Sequence, residues 1–390
     1  MRKNGINREL EPIEGGVCAP SGFQASGENH LALIVAEKRF PVACTFSQSA
    51  VVGAPVAVSK RHVKSGYARA VFANSGVANV FQENGEKSAR EICRQIAKRL
   101  RCDQREIVIA STGKITSRFN AESVINGLDF LCQRIGLSNE HSLASARAIM
   151  TTDKSVKQVS FAFDVGDFRC KIGAVFKGNA RVCPNMATTL CFLTTDVNIT
   201  PEMLQKSFSS AVNETLNMLT HDGLSSPNDT ACILSSCTAG NYCISCADSE
   251  YKKFASALQK TLTEICFIML KDGDEQTKTL FCKTSGAKSK RVARAVSRAV
   301  VKANVFQNGN LETESLLCAI VGVGEALDVS KAEIILCSEN NSLALMTDGK
   351  AIAYSASLML DILSRSHVEL LIRLNDGNYG TTAFARRTDG

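Results

Sequence analysis

Residues 177–197, KGNARVCPNMATTLCFLTTDV, decide how the rest of this chain is read. Pro184-Asn185 is turn chemistry, and the apolar, β-branched run from Thr189 to Val197 follows without a break. The pattern predicts a tight turn that presents one hydroxyl, Thr188, at the start of a buried strand. Taken alone, a threonine in that place is an ordinary β-former.

Strand and helix signals alternate on both sides of this stretch, as in a chain whose sheets are covered by helices. Upstream, the Gly/Pro-punctuated opening GGVCAPSGFQASG leads to two strands, LALIVAE and PVACTF. A strand at residues 68–73 ends in Asn74-Ser75-Gly76-Val77-Ala78-Asn79. After Gly85, the residues Ala89, Ile92, Cys93, Ile96, Ala97 and Leu100 fall on one helical face. Residues 106–111 read as a buried strand ending in Ser111-Thr112-Gly113, which by itself is a strand cap. A helix over 142–150 leads to Met150-Thr151-Thr152-Asp153, a local cap or turn phrase. Residues 157–164 and 168–176 read as a hairpin across Val165-Gly166-Asp167 that ends at Lys177.

Downstream, Thr200, Pro201 and Glu202 start a helix whose apolar face is Leu204, Phe208, Ala211, Val212 and Leu216. Asn228-Asp229-Thr230 then precedes a strand, ACILSS, and a second helical stripe spans 254–269. Strand-like runs recur at 316–323, 332–337, 343–346 and 368–374.

Composition narrows the class. At 390 residues, with 45% apolar and 21% charged residues, the chain is that of an ordinary globular protein of two or three domain-sized units. No stretch approaches the roughly 18 consecutive apolar residues of a membrane span. The first residues, MRKNGINREL, hold no apolar h-region. Both observations point to the cytoplasm and away from a membrane partner. Sixteen cysteines scattered over this length read as reduced core thiols. The lone Cys-x-x-Cys at Cys243 and Cys246 lacks the second pair a zinc site needs, so no metal is expected. The net charge of +7 is spread out, and its densest group, Lys288, Lys290, Arg291, Arg294 and Arg298, has the spacing of a solvated helix face. That distribution argues against a nucleic-acid partner.

Residue by residue, Lys177-Gly178, Pro184-Asn185-Met186-Ala187-Thr188 and Leu193-Thr194-Thr195-Asp196 resemble the self-cleavage segment of the ornithine acetyltransferase family. The opening Val17, Ala19, Pro20, Gly22 and Phe23, the residues 74–79 and the Asn228-Asp229-Thr230 phrase match that family as well. The resemblance implies an α+β fold, a sandwich of mixed β-sheets covered by helices, with a self-cleaving N-terminal threonine nucleophile. It implies a cut between Ala187 and Thr188, giving an alpha chain of residues 1–187 and a beta chain of residues 188–390, two of each in a heterotetramer. Thr188 would be the nucleophile and Thr112 with Gly113 the oxyanion hole, while Thr151, Lys177, Thr188 and Asp274 would contact substrate. The implied activity moves acetyl from N2-acetylornithine to glutamate, giving ornithine and N-acetylglutamate. No bound cofactor is implied, and acetyl-CoA is an optional co-substrate, for synthesis of N-acetylglutamate from acetyl-CoA and glutamate.

The chain departs from the family pattern toward its end. Asp274 stands where members carry a glutamate, with Glu275 beside it, and the phrase after Phe306 is Gln307-Asn308-Gly309-Asn310 instead of one containing tryptophan. The family's closing asparagine and Ser/Thr are not recognisable in DGNYGTTAFARRTDG. Two alternatives therefore stand beside the acetyltransferase: a non-catalytic relative, and an amidase or aminopeptidase that passes the acyl group to water.

Overall fold

The computed structural model describes residues 10–178, 189–220, 226–274, 276–303, 305–307 and 310–387. They form mixed β-sheets covered by helices, in two compact units. Of the described residues, the first contains 10–178, 189–212 and 226–265, and the second those from 213 to 220 and from 266 to 387.

The first unit is built on one long strand, Leu31–Phe46. LALIVAE and PVACTF are parts of this single strand, whose register shifts between Val35 and Phe40. Its first part pairs with Phe23–Glu28 and Tyr67–Asn74, and Tyr67–Asn74 pairs in parallel with Ile107–Ser111. Its last part pairs with Thr230–Ser235, and the ladder continues through Leu190–Thr195, Phe168–Lys177 and Gln158–Val165. The two parts of the sheet face one another. Ile34, Val71 and Val108 from one side share a core with Val175, Phe192 and Cys232 from the other.

The alternate residues Leu31, Leu33 and Val35 point the other way, into a second core with Ile92, Ile96, Leu128 and Leu131. Those last four lie on the helices Gly85–Leu100 and Ala121–Gln133. Burial on both faces is why LALIVA is a continuous apolar run and not an alternating one. The hairpin Gln158–Val165 and Phe168–Lys177 turns through Gly166, whose φ of 60° is costly for other residue types.

The second unit carries a seven-stranded sheet in which Thr279–Ala287 pairs in parallel with His367–Arg373 and antiparallel with Tyr379–Arg386. Val292, Val296 and Val300 of the helix Lys290–Lys302 pack in its core, and the basic residues of that helix lie on its other faces. Residues 316–323 were expected as a strand, yet Thr313–Val321 is a helix. A short continuous apolar run does not separate a strand from a helix by periodicity. Here Leu316 and Ile320, one helical turn apart, are the buried pair, whereas Val321 is exposed. The strand Tyr379–Arg386 and the helix Ala356–Ser364 fell outside the sequence reading altogether. Among the described residues no helix is long and apolar enough to cross a membrane.

Phe192 sits at the middle of the inner core and is fully buried. Phe192→Ala should lower the unfolding free energy by about 3–5 kcal/mol, read from urea unfolding. A loss below about 1 kcal/mol would contradict a closed core at this strand.

Candidate active site

Three of the candidate residues, Thr112, Thr151 and Lys177, meet where elements of the first unit end. Thr112 follows the strand Ile107–Ser111, Thr151 follows the helix Asn139–Ala148, and Lys177 closes the strand Phe168–Lys177. Lys177 is 2% exposed. Its Nζ donates to Thr151 Oγ1 at 2.6 Å and to Thr112 Oγ1 at 3.2 Å. A hydroxyl that accepts from an ammonium keeps its own proton for another acceptor, so Thr112 is prepared to donate. Thr151 is exposed, and the cluster reaches solvent on that side.

The ammonium is compensated by Asp153, whose Oδ2 lies 3.8 Å from Lys177 Nζ. Asp153 Oδ1 accepts from Lys157 Nζ at 2.9 Å and from the Gly178 N–H at 2.9 Å, and Oδ2 accepts from the Thr151 N–H at 3.2 Å. Burial alone would raise the Asp153 carboxyl. The charges of Lys177 and Lys157, the Lys157 hydrogen bond and the Gly178 N–H outweigh it and hold the carboxyl below its ordinary value. Sequence reasoning read Asp153 only as part of a turn phrase and did not single out Lys157. An i,i+4 pair in a segment that is not helical gives no pattern to find. What brings Lys157 here is the hairpin register, in which the Phe176 N–H donates to the Lys157 carbonyl.

Gly113 occupies a position no other residue fits. Its φ is +127°, and a Cβ would lie 2.2 Å from the carbonyl carbon of Gly76. The loop carrying Gly76 is tied to the strand end by bonds from Ser111 Oγ to Asn74 Oδ1 at 2.5 Å, from the Thr112 N–H to the Asn74 carbonyl and from the Lys114 N–H to the Gly76 carbonyl. The two phrases at 74–79 and 111–113 are therefore one structural feature. Asn228 joins it by donating from Nδ2 to the Ala78 carbonyl.

Ala187 and Thr188 lie outside the described residues, as does Glu275. The chain resumes at Thr189, whose N–H donates to Asp229 Oδ1 at 2.6 Å. In the phrase 193–196, Thr194 Oγ1 donates to the Val17 carbonyl and Thr195 Oγ1 to the Lys171 carbonyl, so these hydroxyls hold the fold together. Asp274 belongs to the second unit, in the turn after the helix Ser249–Lys271, where its Oδ1 accepts from the Gln276 N–H at 3.0 Å.

Comparison with known proteins agrees with the sequence resemblance. A family model described as the ArgJ family matches residues 17–387. The arginine biosynthesis bifunctional protein ArgJ of Caldanaerobacter subterraneus is 29% identical over 388 residues, covering 96% of this chain and 96% of its own. A glutamate N-acetyltransferase of Methanosarcina mazei is 32% identical over 359 residues, covering 86% of this chain and 89% of its own. Among solved structures, ornithine acetyltransferase of Mycobacterium tuberculosis complexed with ornithine aligns over 39% of this chain and 88% of its own, with 27% identity and a TM-score of 0.37.

Removing Asp153 takes a carboxylate from between two buried ammonium groups, so Asp153→Ala should cost about 3–5 kcal/mol in urea unfolding. Because the folded carboxyl titrates below its unfolded value of about 3.9, its contribution is complete above that pH and is lost as pH falls toward the folded value. Asp153→Asn should accordingly flatten stability against pH below about pH 4. Wild-type stability in Asp153→Ala would contradict the compensating role.

Proposed function

Because the chain belongs to the ArgJ family and is an acyltransferase, we propose that it moves the acetyl group of N2-acetylornithine to glutamate in the arginine pathway, after cutting itself between Ala187 and Thr188. The observation that carries this reading is the convergence on Lys177 Nζ of two hydroxyls, Thr112 and Thr151, from separate parts of the chain. Such a cluster suits a reaction in which a negative oxygen develops beside a substrate that bears a carboxylate.

Self-cleavage begins with Thr188 Oγ attacking the Ala187 carbonyl carbon. The C–N bond breaks, the nitrogen takes up the proton that the hydroxyl lost, and water hydrolyses the resulting ester. The freed α-amino group titrates near about 7.7–8.0 and serves as base for its own hydroxyl. In the mature enzyme Thr188 Oγ attacks the acetyl carbonyl of N2-acetylornithine, with Thr112 and the Gly113 N–H receiving the oxyanion. Ornithine leaves, and the amine of glutamate takes the acetyl group from Thr188, completing a ping-pong cycle.

Lys177 and Thr151 hold the amino-acid end of either substrate, and Asp274 serves a substrate ammonium. Acetyl-CoA is a second donor in the same cycle. The enzyme works in the cytoplasm as a heterotetramer of two alpha and two beta chains. Pairing in the first unit supports a stable cut form: Leu190–Thr195, after the cut, is hydrogen-bonded to Phe168–Lys177, before it.

Intact mass and N-terminal sequencing test the proposal. The wild-type protein should yield residues 1–187 and 188–390, the second beginning Thr-Thr-Leu-Cys, and should acetylate glutamate from N2-acetylornithine. Thr188→Ala should stay a single chain without transfer. A cut and active Thr188→Ala protein would sink the assignment, and release of free acetate without glutamate acceptance would mark a hydrolase.

A further inference from the structure

Sixteen cysteines are scattered along the sequence, and the fold sets two of them directly opposite one another. Cys44, near the end of the strand Leu31–Phe46, pairs antiparallel with Cys232 of Thr230–Ser235. Both belong to the inner core, where Cys232 is fully buried and Cys44 is 8% exposed.

The kind of pair decides whether two sulfurs can meet. Opposed residues of an antiparallel ladder alternate between pairs that exchange backbone hydrogen bonds, with Cα atoms about 5.5 Å apart, and closer pairs that do not, at about 4.5 Å. Cys44 belongs to a pair of the second kind. Its N–H donates to Gln205 Oε1 at 3.0 Å, and its carbonyl accepts from Gln205 Nε2 at 3.1 Å. Gln205, on the helix Pro201–Glu214, thus takes the place of a neighbouring strand, and neither backbone group of Cys44 is spent on Cys232. The register agrees. Ser47, three residues after Cys44, donates its N–H to the carbonyl of Asp229, three residues before Cys232. That is a hydrogen-bonded pair, and an odd number of steps along the ladder changes the kind. A disulfide needs Cα atoms roughly 4.4–6.8 Å apart, so this pair can be bridged without moving the backbone. The thiols already touch, since Cys232 is hydrogen-bonded to Cys44.

We infer that Cys44 and Cys232 are a modification site at which a peroxide forms a cross-strand disulfide, joining the alpha chain to the beta chain. The bond itself does not depend on self-cleavage; only its bridging of two separate chains rests on the cut proposed above.

The step balances as follows from exposure and proton placement. Cys44, the more exposed sulfur, attacks hydrogen peroxide; the O–O bond breaks, one oxygen stays on sulfur as a sulfenic acid, and the other leaves as water with the thiol proton. Burial and the Cys44 hydrogen bond push the Cys232 thiol well above its ordinary value, so Cys232 keeps its proton until the second step. Its sulfur then displaces the sulfenic oxygen, which takes up that proton and departs as the second water. Two thiols lose two electrons, and one peroxide becomes two waters.

Hydrogen peroxide added to the full wild-type chain, purified under reductant and then freed of it, tests the inference by peptide mapping and a non-reducing gel. Oxidation should link the peptide containing Cys44 to the peptide containing Cys232, the pair lighter by two hydrogens than the reduced peptides together. The cut protein should then run as one species, which dithiothreitol separates into two. Cys44→Ala should run as two chains with or without peroxide; if it does not fold, the wild-type peptide map decides alone. The exposed thiols of Cys243 and Cys246 report that the oxidant has acted. A wild type that is never cut would refute the proposed function, and the linked peptides would still decide this inference. Oxidised Cys243 or Cys246 beside unlinked Cys44 and Cys232, or a crosslink between the chains that persists in Cys44→Ala, would overturn it.

Discussion

A lysine ammonium withdrawn from water costs several kcal/mol unless charge and hydrogen bonds replace its hydration. Lys177 obtains both from the first unit: the Asp153 carboxylate nearby, and the hydroxyls of Thr112 and Thr151 as acceptors. Asp153 in turn is held by Lys157 and by the N–H groups of Gly178 and Thr151. The ends of a strand, a helix and a hairpin are thereby tied to one another through charge, where apolar packing could not specify distances between polar atoms. Once the ammonium is fixed, Thr112 Oγ1 has accepted one hydrogen bond and keeps its own proton to donate, as the proposed oxyanion role requires.

The same architecture would keep the first unit paired if the chain were cut as proposed. Leu190–Thr195 lies between Phe168–Lys177 and Thr230–Ser235, hydrogen-bonded to both, and its side chains fill the core shared with the first strands. A break before Thr188 would leave that ladder intact, so the two pieces would remain one folded body. The proposed alpha and beta chains would be a division of the covalent chain, whereas the compact units divide the described residues elsewhere, with 189–212 in the first unit and 213–220 in the second.

Much of this was legible in the sequence, for reasons that differ by residue. The hairpin before Lys177 and the helix after Gly85 follow from period and turn chemistry, and both are present where that chemistry puts them. Thr112, Thr151 and Lys177 were named from resemblance, because the phrases around them are ordinary caps and turns by composition. Their meeting at one ammonium is a tertiary fact that no local pattern carries. Asp153 and Lys157 are harder still, since their pairing depends on the register of a hairpin. The strand expected at 316–323 failed for the opposite reason, an apolar run too uniform to reveal its period. Tyr379–Arg386 was missed because polar residues within it, Thr381 and Thr382 among them, dilute the apolar signal of a strand that the sheet nevertheless holds on both sides.

The central claim is that the chain carries an acetyl group on Thr188 between two amino acids. Its most direct test is the intact mass of the purified protein after brief mixing with N2-acetylornithine alone, followed by peptide mapping. The account predicts one acetyl group on the fragment that begins at Thr188, located on that residue and removed when glutamate is added. An unmodified fragment in a protein that still transfers acetyl, or an acetyl group on another residue, would contradict it.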